Sequence, residues 1–160
     1  MDEGFFGGRL PLAYSGHVVI RDVTYTGEQN GRGVFASCDI GVDTCVDVCP
    51  CISFTMAEHD SCSRTPLHNY TFRSRSGRCY LALGLGSLFN HSDVPNVQYR
   101  IDAKRCRIEF TTCRQVNRGE ELVIYYGPNL WFGDAGGSRI LEAKVDELPL
   151  PFADAGVIDV

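Results

Sequence analysis

From residue 17 onward the chain is a succession of short alternating apolar runs, each closed by Gly, Asp, Asn or Pro. The runs cover 17–23, 33–36, 44–48, 51–54, 70–73, 79–83, 97–101, 107–112 and 121–125, and Val, Ile, Tyr, Phe and Thr dominate them. Such runs fit half-buried strands and are too short for ordinary helices. Helical signals are few: a turn or two at 57–60 and at 87–90, and a short amphipathic piece at 141–147 before Pro149. Residues 1–16 are rich in glycine and without period, an irregular lead-in. Many short strands with little helix imply a β-rich fold of small curled sheets.

At 160 residues and 17.7 kDa there is room for one domain with one modest core. Met1-Asp2-Glu3 lacks the basic and apolar regions of a secretory signal. The most apolar stretch, 80–89, is broken by Gly84 and Gly86 and cannot span a bilayer. These features lead us to expect a soluble, intracellular protein with no membrane partner. Most of the net charge of -5 falls after residue 132, where Asp134, Glu142, Asp146, Glu147, Asp154 and Asp159 outnumber Arg139 and Lys144. An acidic extension disfavours direct DNA binding and is compatible with a basic peptide partner.

Eight cysteines would suggest a disulfide framework in a secreted chain; in a reducing compartment they are expected as free thiols. Cys45, Cys49 and Cys51, with Cys62 and His59 or His68 nearby, invite a zinc reading. Their C-x3-C-x-C spacing lacks paired knuckles, however, and odd numbers along a strand share one face. Small buried hydrophobes explain them more simply, and no metal is expected.

Three segments carry the chemistry: Gly31-Arg32-Gly33-Val34-Phe35-Ala36, Asn90-His91-Ser92-Asp93-Val94-Pro95-Asn96, and Gly119-Glu120-Glu121-Leu122-Val123-Ile124-Tyr125-Tyr126-Gly127. In this order they resemble the signature segments of SET-domain protein lysine methyltransferases. The likeness is greatest to the small stand-alone enzymes of viral and fungal type. It implies a SET-domain fold over 17–132, with the last two segments threaded in a knot-like arrangement, and an acidic extension over 133–160. The cofactor it implies is S-adenosylmethionine. Main-chain groups of Gly31, Arg32 and Gly33 would wrap its methionine part, and Asn90 would meet the zwitterionic end. His91 would offer backbone bonds to the adenine, and Trp131, with Phe132, would close over the cofactor or wall the lysine channel. Tyr126 stands at the family's catalytic tyrosine, and Tyr70, in a Tyr-x-Phe element, would supply a second tyrosine to the lysine channel. Alternation along the last strand would turn Tyr125 to the other face.

The likeness further implies a histone-tail lysine as substrate, a nuclear site of action and a homodimer. Two positions depart from the pattern: Ser87 replaces a frequent Arg three residues before Asn90, and Ile124 replaces a frequent aromatic two before Tyr126. Those departures leave room for a SET-fold binding module without turnover. A cysteine hydrolase using His91 has no supporting motif.

Overall fold

The computed structural model describes residues 16–26 and 31–127. In chain order the strands are β1 Val18–Asp22, β2 Arg32–Ala36, β3 Cys45–Thr55, β4 Thr71–Arg73, β5 Arg78–Ala82, β6 Asn90–His91, β7 Val97–Asp102, β8 Arg107–Thr112 and β9 Glu121–Ile124. One α-helix, α1 Met56–Ser61, follows β3, and 3-10 turns occupy Pro66–Tyr70 and Gly86–Leu88.

Two sheets form. The first has the order β1-β2-β9-β6 and the second β4-β5-β3-β8-β7. Most pairings are antiparallel, but β6 lies parallel to β9, with Asn90 opposite Val123 and His91 opposite Ile124. A single apolar cluster includes Val18, Val34, Leu122 and Ile124 of the first sheet with Val46, Ile101, Ile108 and Phe110 of the second. Phe89 packs on Phe110 with ring centroids 4.9 Å apart. The β-rich expectation of small sheets therefore holds, and the run 107–112 coincides with β8.

Four local expectations are corrected. Runs 44–48 and 51–54 are one strand, because β3 pairs with β8 up to Pro50 and with β5 from Cys51 onward. Pro50 sits at that change of partner, where a missing N–H costs the ladder least. A register shift between Cys45 and Asp47 breaks the single cysteine face: Cys45 is exposed, Cys49 buried and Cys51 half-buried. Asn90, expected to end a helical turn, lies in a strand because Phe89 is already extended (φ -71°, ψ 123°). Tyr70 closes a 3-10 turn begun at Pro66 rather than opening a strand, since proline suits the first position of such a turn.

All eight cysteines are free thiols. Among the described residues no group of three His, Cys, Asp or Glu is placed to hold a metal ion. The piece at 141–147 lies outside the described residues.

Candidate active site

Gly31 closes the turn that follows β1. Its carbonyl accepts from the Val23 N–H at 2.8 Å, and a Cβ there would stand 2.2 Å from Thr26 Oγ1. Gly33, two residues on, is hemmed in differently. A Cβ at Gly33 would lie 2.4 Å from Glu121 Oε1 and 3.1 Å from Asn90 Nδ2. The missing side chain is what lets β9 and β6 present a carboxylate and a carboxamide against the β2 backbone.

Asn90 is the centre of this group. Its Nδ2, with two hydrogens to share, lies within hydrogen-bond reach of Glu121 Oε1 (2.7 Å), the Arg32 carbonyl (3.0 Å) and the Tyr25 hydroxyl (3.1 Å). All three partners can accept, which fixes the orientation of the amide. Tyr25 in turn donates its hydroxyl to the Glu121 carboxylate. Burial, followed by the hydrogen bond and charge of Glu121, raises the Tyr25 pKa far above the ordinary phenol value, so the proton stays on the hydroxyl. Neither Tyr25 nor Glu121 was singled out from sequence. Glu121 lies within a recognised segment, but nothing in the spacing joins it to Tyr25.

His91 is held on both ring nitrogens. Nδ1 accepts from the Tyr126 N–H at 3.2 Å, and Nε2 lies 3.3 Å from Asp93 Oδ1. Because Nδ1 accepts, the neutral ring carries its proton on Nε2 and donates it to Asp93. The rings of Tyr125 and Tyr126 lie 5.5 Å and 5.3 Å from His91. Alternation therefore does not send Tyr125 away, because β9 ends at Ile124. The Tyr126 hydroxyl donates to the Phe89 carbonyl at 2.7 Å, one residue before Asn90. Asn96, fully buried, binds the motif to β9: its Oδ1 accepts from the Val123 N–H (2.8 Å) and its Nδ2 donates to the Glu121 carbonyl (2.7 Å).

The 3-10 turn Gly86–Leu88 links these groups to Tyr70. Ser87 Oγ donates to the Tyr70 carbonyl at 3.0 Å, so the departure at this position has a local role. Beneath the turn, Asp47 Oδ2 accepts from the Leu85 N–H (2.9 Å) and from the Cys49 thiol (3.0 Å), and Cys49 Sγ accepts from the Gly86 N–H (3.3 Å). Asp47 is only 2 % exposed, and burial pushes its carboxyl above the usual range. No spacing in the sequence marks this buried pair.

Of the residues expected at a site, Arg32, Gly33 and Asn90 meet, His91 follows Asn90 and accepts from the Tyr126 N–H, and the Tyr126 hydroxyl reaches Phe89. Gly31 contacts Val23 and Thr26, and Tyr70 is tied to Ser87 through its main-chain carbonyl alone. Trp131 and Phe132 lie outside the described residues. Cys49 and Cys51 are poor nucleophiles. Burial raises Cys49 well above the ordinary thiol value and pushes Cys51 up to about 12.

Comparison with known proteins agrees with this geometry. The SET domain family model matches residues 31–127. Over 131 residues the chain is 40% identical to the histone-lysine N-methyltransferase, H3 lysine-37 specific, of Schizosaccharomyces pombe (strain 972 / ATCC 24843), covering 81% of this chain and 86% of that protein. A solved Plasmodium falciparum protein assigned as a histone methyltransferase aligns with TM-score 0.55 at 24% identity, over 72% of this chain and 97% of its own. A chain of an active polycomb repressive complex 2 aligns with TM-score 0.57 at 23% identity, over 71% of this chain and 16% of its own. These two structures establish likeness of fold.

Proposed function

We infer, from a chain that belongs to the SET-domain family and is a protein-lysine N-methyltransferase, that it takes its methyl group from S-adenosylmethionine and delivers it to a lysine of a histone tail. The observation that carries this reading is the meeting of Gly33, Asn90 and the Arg32 carbonyl with the Tyr126–Phe89 bond, from segments far apart in sequence. The cofactor fits the residues present. The missing side chain at Gly33 lets the Glu121 carboxylate and the Asn90 carboxamide gather beside the Arg32 carbonyl, and such a set suits a group with both donors and charge.

The cofactor supplies a methyl on a sulfonium centre, which needs only a neutral amine in line with it. The protein's part is to position and to dry that amine. Gly31, Arg32, Gly33, Asn90 and the main chain of His91 would hold the cofactor, and Trp131 is proposed to close the site. The Tyr126 hydroxyl, with Tyr70 on the channel side, orients the amine. Desolvation in a narrow channel lowers its pKa from about 10.4 toward the working pH. Orientation then accounts for much of the rate.

Histone as substrate is supported by the substrate named for the S. pombe relative. With it we propose nuclear action on chromatin, a working unit of 17–132 flanked by the lead-in 1–16 and the acidic extension 133–160, and association as a homodimer. Contact with DNA is expected to be indirect, given the net charge of -5. Among the described residues no helix is long and apolar enough to cross a membrane, and membrane association forms no part of this reading.

The test is transfer of labelled methyl from S-adenosylmethionine to core histones and nucleosomes. Label on a histone lysine, lost in Asn90→Ala together with calorimetric cofactor binding, supports the reading. Cofactor binding without label on any histone sinks the histone assignment. Gly33→Ala is expected to weaken cofactor binding by at least about 10-fold. It should also cost about 1–2 kcal/mol of stability, because the new Cβ must push Glu121 or the β2 backbone aside. Calorimetry and thermal melting of the same preparation check both parts.

A further inference from the structure

We infer that Glu121 reads the α-ammonium group of the cofactor, and that the Tyr25 hydroxyl stands in for that ammonium while the carboxylate is free of ligand. This inference rests on S-adenosylmethionine being the cofactor and deepens that reading.

Around Asn90 the described residues offer fewer donor hydrogens than acceptor positions. Asn90 Nδ2 has two hydrogens, yet Glu121 Oε1, the Arg32 carbonyl and the Tyr25 oxygen all lie within 3.1 Å of it. Tyr25 adds one more hydrogen, which goes to the carboxylate. Three hydrogens thus serve a carboxylate with about four lone-pair positions, a carbonyl and a phenol oxygen. A –NH3+ group brings three donors and a positive charge to a cluster whose described residues supply three hydrogens and no cation.

The charge balance agrees. Glu121 is half-buried, and among the described residues its carboxylate has no basic side chain within ion-pair distance. The Arg and His ion pairs lie on Asp60, Asp93, Asp102, Glu109 and Glu120 instead. A partly desolvated carboxylate held only by neutral donors gains most from a cation, since charge-assisted bonds are roughly twice as strong as neutral ones. Access is open as well. Tyr25 is 45% exposed and sits on the turn closed by the Val23–Gly31 bond, so it can leave the carboxylate without disturbing the core. The absence of a side chain at Gly33 keeps the carboxylate against the β2 backbone, next to the Arg32 carbonyl that would share the ammonium.

The experiment is calorimetry on the full chain with three nucleosides: S-adenosylhomocysteine, its deaminated analogue, and 5′-methylthioadenosine, which lacks the whole amino-acid end. The parent should bind S-adenosylhomocysteine about 10- to 100-fold more tightly than the deaminated analogue. Glu121→Gln should lose that preference and still bind 5′-methylthioadenosine within about twofold of the parent. Tyr25→Phe frees the carboxylate and should widen the preference, which keeps the inference testable if Glu121→Gln folds poorly. Equal binding of amino and deaminated ligands by the parent overturns the inference, as does equal weakening of all three ligands in Glu121→Gln. A preference unchanged or narrowed in Tyr25→Phe removes the stand-in role. Failure of the parent to bind any of the three overturns the cofactor reading itself and this inference with it.

Discussion

Tyr126→Phe lowers methyl transfer about 100- to 1,000-fold and leaves cofactor affinity nearly unchanged. The magnitude is that of removing one preorganised polar group from a reacting centre. The split between rate and binding follows from the geometry. The hydroxyl bonds to the Phe89 carbonyl, while the ring lies on His91 and the backbone N–H donates to His91 Nδ1. Phenylalanine keeps the ring and the backbone bond and loses only the oxygen. The fold should lose about 1 kcal/mol, the usual net worth of one hydrogen bond. Single-turnover transfer alongside calorimetry of cofactor binding checks the split. A fall in affinity that tracks the fall in rate would make Tyr126 a binding residue and not an orienting one.

Asn96→Ala acts on the fold and should be the most damaging single change in the three segments. Asn96 is fully buried, and its side chain serves as a ladder partner for β9. Oδ1 takes the Val123 N–H, and Nδ2 reaches the Glu121 carbonyl and, at 3.2 Å, Glu120 Oε1. Alanine leaves a backbone donor and acceptor unpaired where water enters poorly, a cost of about 3 kcal/mol or more. Against a total stability of roughly 5–15 kcal/mol, that removes a large share of what holds a small domain folded. Asn96→Asp should be worse still, because it removes the donor and sets a second negative charge beside Glu120. Urea unfolding of the three proteins orders them, and an alanine variant as stable as the parent would refute the ladder role.

The fold class was legible because period-2 runs bounded by turn residues survive tertiary packing, and β8 matches its run residue for residue. The failures share one physical origin, which is context that spacing does not carry. Pro50 reads as a strand end but falls where β3 changes partners. Asn90 and His91 form a strand only because β9 runs alongside them. The candidate site residues were proposed through a family likeness, and the buried Asp47–Cys49 pair and the Tyr25–Glu121 bond left no trace in the sequence. Those contacts join positions whose separation in sequence leaves no local trace, and single residues of such types are more often surface or core than site.

That separation governs when the site comes into being. Tyr25 and Glu121 are 96 residues apart, Asn90 and Arg32 58, and Asn90 and Glu121 31. Contacts of such high order are made late and slowly as a chain collapses. None of these three contacts lies within one short segment, and the group around Asn90 is incomplete until β9 is in place. Ligand then favours the finished molecule over every earlier one by mass action, about 2.7 kcal/mol at one hundred times its dissociation constant. With S-adenosylmethionine as the proposed cofactor, its cellular supply would in this way set how much of the protein survives as well as how fast it works.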